Sequence, residues 1–179
     1  MGRTKAGAQT EADASQGEVL RALYGDNLPA GYAATVELAQ TILKTTALYD
    51  RFAKQHALNA NSLMVLMVLH YSAEPRNQRF ISDALSLPKQ TVGSIFLKLK
   101  EAGYLAEKPS PEDARAKDII LTEQGARFCD EVFEELRALE SRAFQTVDAA
   151  EIEAAARSMR AFIDAFDAGL DEAAASERR

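Results

Sequence analysis

In the run Lys89-Gln90-Thr91-Val92-Gly93-Ser94, four side chains are suited to nucleic-acid chemistry. A glutamine amide carries a donor and an acceptor side by side, so Gln90 can pair with both open positions of an adenine edge. The Thr91 and Ser94 hydroxyls can reach bases or phosphates, and Lys89 supplies a cation. The plain alternative is an ordinary solvated helix face. Farther along, Lys98, Lys100 and Lys108 read as phosphate contacts or as surface residues, and Lys117 joins the contact set. Arg115 carries a guanidinium, the group that the negative potential of a narrow minor groove attracts. Asp113, two positions earlier, can steady it through a charge-assisted hydrogen bond. The competing reading is an exposed ion pair worth under ~1 kcal/mol.

Other chemistry is sparse. A single cysteine, Cys129, excludes an intramolecular disulfide and a multi-cysteine zinc site. The two histidines, His56 and His70, stand at no metal-ligand spacing. With Tyr49 and Tyr71 they line a ligand pocket or simply pack. There is no Gly-rich phosphate loop and no serine elbow. The expectation is a protein that is not an enzyme and that uses no metal or cofactor.

Those side chains need elements to hold them. The apolar series from Val36 to Phe52 recurs at helical spacing and predicts a first helix over Tyr32 to about Lys54. Asn59 or Asn61 caps a second helix, apolar nearly all round from Leu63 to Leu69 and therefore central. Glu74 to Gln78 reads as a polar loop. A short helix over Phe80–Leu85 turns Ile81, Ala84 and Leu85 inward. After the turn at Ser86-Leu87, Pro88 starts another helix, with Val92, Ile95, Phe96 and Leu99 on one face and Gly103 ending it. Two helices joined by so short a turn form a helix-turn-helix candidate. Strands over Tyr104–Lys108 and Lys117–Leu121 flank a turn-rich tip, and Ile119 and Leu121 share a face of the second. Thr122 caps a long helix carrying Phe128, Cys129, Val132, Phe133, Leu136, Leu139, Ala143 and Phe144. After Asp148 a last helix presents Ile152, Ala155, Met159, Phe162, Ile163, Phe166 and Leu170. The fold class is mainly α with a small β-hairpin wing.

Charge agrees with that placement. The 179-residue chain carries a net charge of −6, too acidic for a protein that coats nucleic acid over its whole surface. Yet Arg76 to Lys117 holds eight basic residues against five acidic ones, a window of +3 that leaves −9 elsewhere. A basic island in an acidic chain is the footprint of a local phosphate-binding face. No apolar run reaches the roughly 20 residues of a membrane span, and the N-terminus lacks the apolar stretch of a secretory signal. The chain reads as cytoplasmic.

The segment ISDALSLPKQTVGSIFLKLKEAGYLAEKPSPEDARAKDIILTEQG resembles the signature of the multiple-antibiotic-resistance-regulator (MarR) family. The matching pieces are Leu85-Ser86-Leu87, Lys89-Gln90-Thr91-Val92, Gly103-Tyr104, Asp113-Ala114-Arg115 and Leu121-Thr122-Glu123-Gln124-Gly125. The resemblance implies a winged helix-turn-helix flanked by terminal helices that intertwine in a homodimer. It further implies a near-palindromic double-stranded DNA operator, repression of nearby genes and release by a small-molecule effector or another signal. On this reading residues 1–18 are a disordered tail and 19–57 an N-terminal helical dimerisation segment. Residues 58–122 are the DNA-binding domain, 123–171 the C-terminal dimerisation helices and 172–179 a flexible tail. The alternative for the terminal helices is closure of a monomeric core.

Two positions depart from the family pattern. Ser94 stands where Arg is frequent, and it cannot make the bidentate guanine contact of an arginine. Leu97 replaces a polar residue and either touches a thymine methyl or packs against a neighbouring helix. Some family members use cysteines as redox sensors, but Cys129 shares a stripe with Phe133, Leu136 and Leu139, where a free thiol behaves as a small hydrophobe. The rival function is a winged-helix adaptor that binds protein and not DNA.

Overall fold

A computed structural model describes residues 31–109 and 117–176. The N-terminal tail, Asp113, Ala114 and Arg115 with the rest of the wing tip, and residues 177–179 lie outside the described set. The chain forms two compact units that divide at Leu63–Met64.

In the first unit, helix α1 (Tyr32–Gln55) starts at Gly31, whose φ of +83° is left-handed and suits glycine. It stops where His56 and Ala57 turn back, with the Leu58 N–H donating to the Ala53 carbonyl at 2.9 Å. The next helix, α2 (Ala60–Tyr71), begins at Asn59, whose side chain accepts the Ser62 N–H at 2.8 Å. Asp50 ties this start to α1. Its carboxylate accepts the Ala60 N–H at 3.1 Å and meets the Lys54 ammonium at 2.7 Å. Lys54 first, then the Ala60 amide, holds the Asp50 carboxyl below the usual carboxylate range. This tie holds the first turn of α2 to α1.

The second unit carries the remaining elements in the order β1 (Arg76–Asn77), α3 (Gln78–Leu85), α4 (Lys89–Glu101), β2 (Leu105–Pro109), β3 (Lys117–Leu121), α5 (Glu123–Phe144) and α6 (Ala149–Ser176). The sheet has three strands, ordered β1-β3-β2 and antiparallel throughout. The polar stretch read as a loop therefore contains a strand, with Arg76 opposite Ile119 and Asn77 opposite Asp118. This makes β3 the middle strand. Asp118 and Ile119, on opposite faces, are both buried, while Leu121 is only half-buried.

Asn77 also caps α3, accepting the Phe80 N–H at 2.9 Å. On α3 the buried residues are Ile81 and Ser82, whereas Ala84, expected inward, is exposed. Ser82 is inside because its hydroxyl donates to the Leu87 carbonyl at 2.6 Å and its carbonyl accepts the Leu87 N–H at 3.0 Å. It thus closes the turn that Ser86 makes at a left-handed φ of 51°. The core beneath gathers Val92, Ile95, Phe96 and Leu99 from α4, Leu105 and Ile119 from the sheet, and Cys129, Val132, Phe133 and Leu136 from α5.

One residue joins three of these elements. The Thr122 hydroxyl donates to the Gly103 carbonyl at 2.7 Å and accepts the Gly125 N–H at 2.9 Å. Gly125 presses so closely on Tyr104 that an added Cβ would clash with its carbonyl oxygen. The Tyr104 ring stacks on Phe128 with centroids 4.4 Å apart. Beyond α5, Asp148 caps α6 by accepting the Ala150 N–H at 2.8 Å. That helix runs to Ser176, past the 171/172 boundary read from sequence, because Asp-Glu-Ala-Ala-Ala contains no breaker and mostly good helix formers. None of its residues is buried.

Candidate nucleic-acid interface

Helix α4 has two unlike faces. Val92, Ile95, Phe96 and Leu99 are buried, while Lys89, Gln90, Ser94, Leu97 and Lys98 are exposed and Thr91 is half-buried. The expected contact set on this helix is thus gathered on its open side. Pro88 precedes the helix with φ −56° and ψ 138°, and having no N–H it leaves no donor of its own at the helix start. The Ser94 hydroxyl donates to the Gln90 carbonyl at 3.0 Å. Leu97 is 58% exposed, which rules out close packing on a neighbouring helix within the chain. It borders a cleft of about 200 Å³ lined also by Gln78, Phe96, Leu105 and Glu107.

Gln78 is a positioning residue that sequence reasoning missed. From the start of α3 its amide crosses Gly93 and donates to the Lys89 carbonyl at 2.6 Å. A Cβ at Gly93 would stand 3.1 Å from that amide nitrogen. The only sequence signal is Gly93 itself, because glycine inside a helix costs about 1 kcal/mol and asks for a close neighbour as the reason.

Where β2 and β3 pair, Glu107 accepts from the Lys117 ammonium at 3.0 Å and lies 3.2 Å from that of Lys100. Lys117 chiefly, and Lys100 after it, hold the Glu107 carboxyl below its ordinary range. Lys108, on the same strand, is half-buried. Lys100 and Lys117 therefore stand together beside the end of α4, which the linear sequence did not reveal.

The remaining candidates fall elsewhere. Cys129 is 1% exposed, and burial first, with Asp130 adding to it, pushes its thiol up to about 12. His70 lies 3.7 Å from the Asp130 carboxylate and packs with Tyr71 and Phe133, ring centroids 4.8 and 5.3 Å away. His56 sits against the Phe52 ring at 4.8 Å. Among the described residues no cluster of three His, Cys, Asp or Glu side chains could hold a metal, and no helix is long and apolar enough to cross a membrane.

This arrangement, helix-turn-helix followed by a paired-strand wing, has direct counterparts. The MarR family model matches residues 58–116. Residues 58–116 thus match a MarR-type domain, and the rest of the chain lies outside that match. It is similar to the transcriptional repressor IacR of Pseudomonas putida, 27% identical over 116 residues that cover 65% of this chain and 69% of that protein. Among solved structures it resembles CouR of Rhodococcus jostii, bound there to p-coumaroyl-CoA, with a TM-score of 0.63 and 21% identity over 78% of this chain and 95% of the other. It also resembles MepR of S. aureus, solved with DNA, with a TM-score of 0.60 and 18% identity over 75% and 97% of the two chains. At such identities the structural likeness establishes the MarR winged-helix fold.

Proposed function

We propose that this DNA-binding transcriptional regulator works as a homodimeric repressor on a near-palindromic operator and lets go when a small molecule or another signal reaches it. The observation that carries the reading is the polar open face of α4 above a fully buried apolar one. In this reading α4 enters the major groove. Gln90 pairs with an adenine edge, and Thr91 and Ser94 contact bases or phosphates. Lys89, Lys98 and Lys117 meet phosphates. Arg115 reaches the minor groove with Asp113 steadying it.

Dimerisation is assigned to the terminal helices. Leu139 and Phe144 on α5 and Ile152, Phe162, Ile163, Phe166 and Leu170 on α6 are exposed apolar residues in one chain. Exposed large apolar residues repeated along two helices mark an interaction surface, and a second copy supplies a matching one. Two α4 helices so joined meet successive major grooves, with half-site centres about 10 base pairs apart. The structural likeness to a p-coumaroyl-CoA-bound regulator supports a small-molecule effector. The protein acts by binding and not by catalysis, and a regulator of transcription works where the chromosome is, here the cytoplasm.

The test is fluorescence anisotropy on a duplex from the region upstream of the protein's own gene. Log affinity should fall with log salt at a slope of about −0.9 per phosphate contact. Arg115→Ala should lose roughly 1–3 kcal/mol of binding, and Arg115→Lys should recover only part, since an ammonium lacks the planar fork. Full affinity in Arg115→Ala would remove the wing from the interface. Binding indifferent to salt would point to a protein partner instead.

A further inference from the structure

Glu107 does something unusual for a carboxylate on a basic face. Its Oε2 atom takes two ammoniums at once, Lys117 at 3.0 Å and Lys100 at 3.2 Å. Lys100 belongs to the last turn of α4 and Lys117 opens β3, so one oxygen on β2 fastens the end of the helix to the tip-side end of the wing strands. The three side chains are one-third to two-thirds exposed, 34% for Glu107, 51% for Lys100 and 67% for Lys117. Exposed pairs of this kind contribute little to folding. They are, however, fully open to competition from a phosphate.

We propose that Glu107 is a specificity-determining residue, whose carboxylate withholds Lys100 and Lys117 from indiscriminate phosphate contact and keeps them paired for the operator. The proposal rests on the DNA-binding reading above. Sequence-independent affinity comes almost wholly from cations that replace counterions on phosphates. Any phosphate that approaches Lys100 or Lys117 must first displace a carboxylate about as close as it could come itself. The three groups together present one positive charge in place of two. Gln90, Thr91 and Ser94 lie in the first half of α4, away from this clamp, and their base contacts do not pass through it. Glu107 therefore lowers the phosphate contribution on every duplex and leaves base reading untouched. On the operator, where base contacts fix the register of α4, the clamp also holds both lysines ready beside the groove. Its loss there brings a gain and a penalty that oppose each other. The strong ionisation of Glu107 under its two cationic neighbours keeps the clamp charged at neutral pH.

The experiment uses the full chain and two labelled duplexes of equal length, the upstream operator and a scrambled sequence, over a salt series. Wild type, Glu107→Gln, Lys100→Gln/Lys117→Gln and the triple variant are compared, with thermal melts as the folding control. Glu107→Gln should bind the scrambled duplex roughly 3- to 10-fold more tightly, with a salt slope steeper by about 1 to 2. Operator affinity should change less, so the operator-to-scrambled ratio narrows. In the Lys100→Gln/Lys117→Gln background, Glu107→Gln should alter neither affinity nor slope, as coupling through those lysines requires. An equal gain in that background would reveal a plain charge effect and overturn the proposal. So would an unchanged slope in the single variant when wild type binds DNA. Wild-type protein that binds neither duplex overturns the DNA-binding reading, and this proposal with it.

Discussion

Helices α4 and α6 are both amphipathic, yet they treat their apolar faces in opposite ways. In α4 the four apolar residues of one face are buried, down to 0% exposure at Val92. In α6 Phe162, Ile163, Phe166 and Leu170 are each about half exposed or more, and nothing in the helix is buried. The same physical rule yields both results. An apolar stripe is stable when covered, and α4 is covered by its own chain, whereas the stripe on α6 is open and is the one assigned above to the proposed partner copy. The contrast separates what this protein needs in order to fold from what it needs in order to assemble.

The comparison breaks most sharply if α6 is charged. Phe162→Glu with Phe166→Glu should weaken dimerisation by a thousandfold or more, since buried aromatic anchors each carry on the order of 2 kcal/mol or above at an interface. Sedimentation should then show monomer or aggregate, and a monodisperse dimer at low concentration would put the interface elsewhere. In α4 the matching change is Phe96→Ala, which should cost about 3–5 kcal/mol of folding stability. Its denaturation loss should persist at every protein concentration, whereas the α6 variant's loss should shrink as the mass-action contribution of the dimer is removed.

A third change sits between the two helices. Gly125→Ala places a methyl against the Tyr104 carbonyl, a backbone atom that cannot swing aside, and should cost about 1–3 kcal/mol in thermal or denaturant melts. Gln78→Ala should cost least, under about 1 kcal/mol, because its bond to the Lys89 carbonyl is exposed. It should act on DNA affinity more than on the melt. Cys129 supplies the finest discrimination. With its thiol at about 12, folded protein should resist alkylation well past the pH at which an ordinary thiol reacts. The sign for stability follows. The folded state favours the neutral thiol, so that contribution is complete below the unfolded thiol's value near 8.5 and is lost as pH rises toward 12. Cys129→Ser that abolished an oxidant response while keeping DNA affinity would reverse the reading and make the thiol a switch.

What was legible in the chain tracks how local each signal is. The buried face of α4 follows from apolar spacing between Pro88 and Gly103, and the cap at Thr122 from its place before a helical run. The two-residue β1 could not be read, because Arg76-Asn77 has neither length nor alternation and exists only through pairing with β3. Ser82 is buried because it bonds Leu87 across the turn, a pairing that apolar spacing does not mark. Glu107 and Gln78 act across ten and eleven positions or between elements, so no periodicity marks them. The wing residues Arg115 and Asp113 remain proposals carried by the family motif.

The joint at Thr122 has a mechanical consequence. Its single hydroxyl bridges the end of α4 and the first turn of α5, and the Gly125–Tyr104 contact leaves no slack between them. A displacement of α5 would reach α4 through this joint, as through a crank. In the dimer proposed above, the distance between the two α4 helices would be set at the far ends of the α5 helices, where the subunits meet. On that proposal an effector would not need to approach the bases to spoil the fit, since a fraction of a helical turn lost at the dimer axis would move both helices out of step with the grooves.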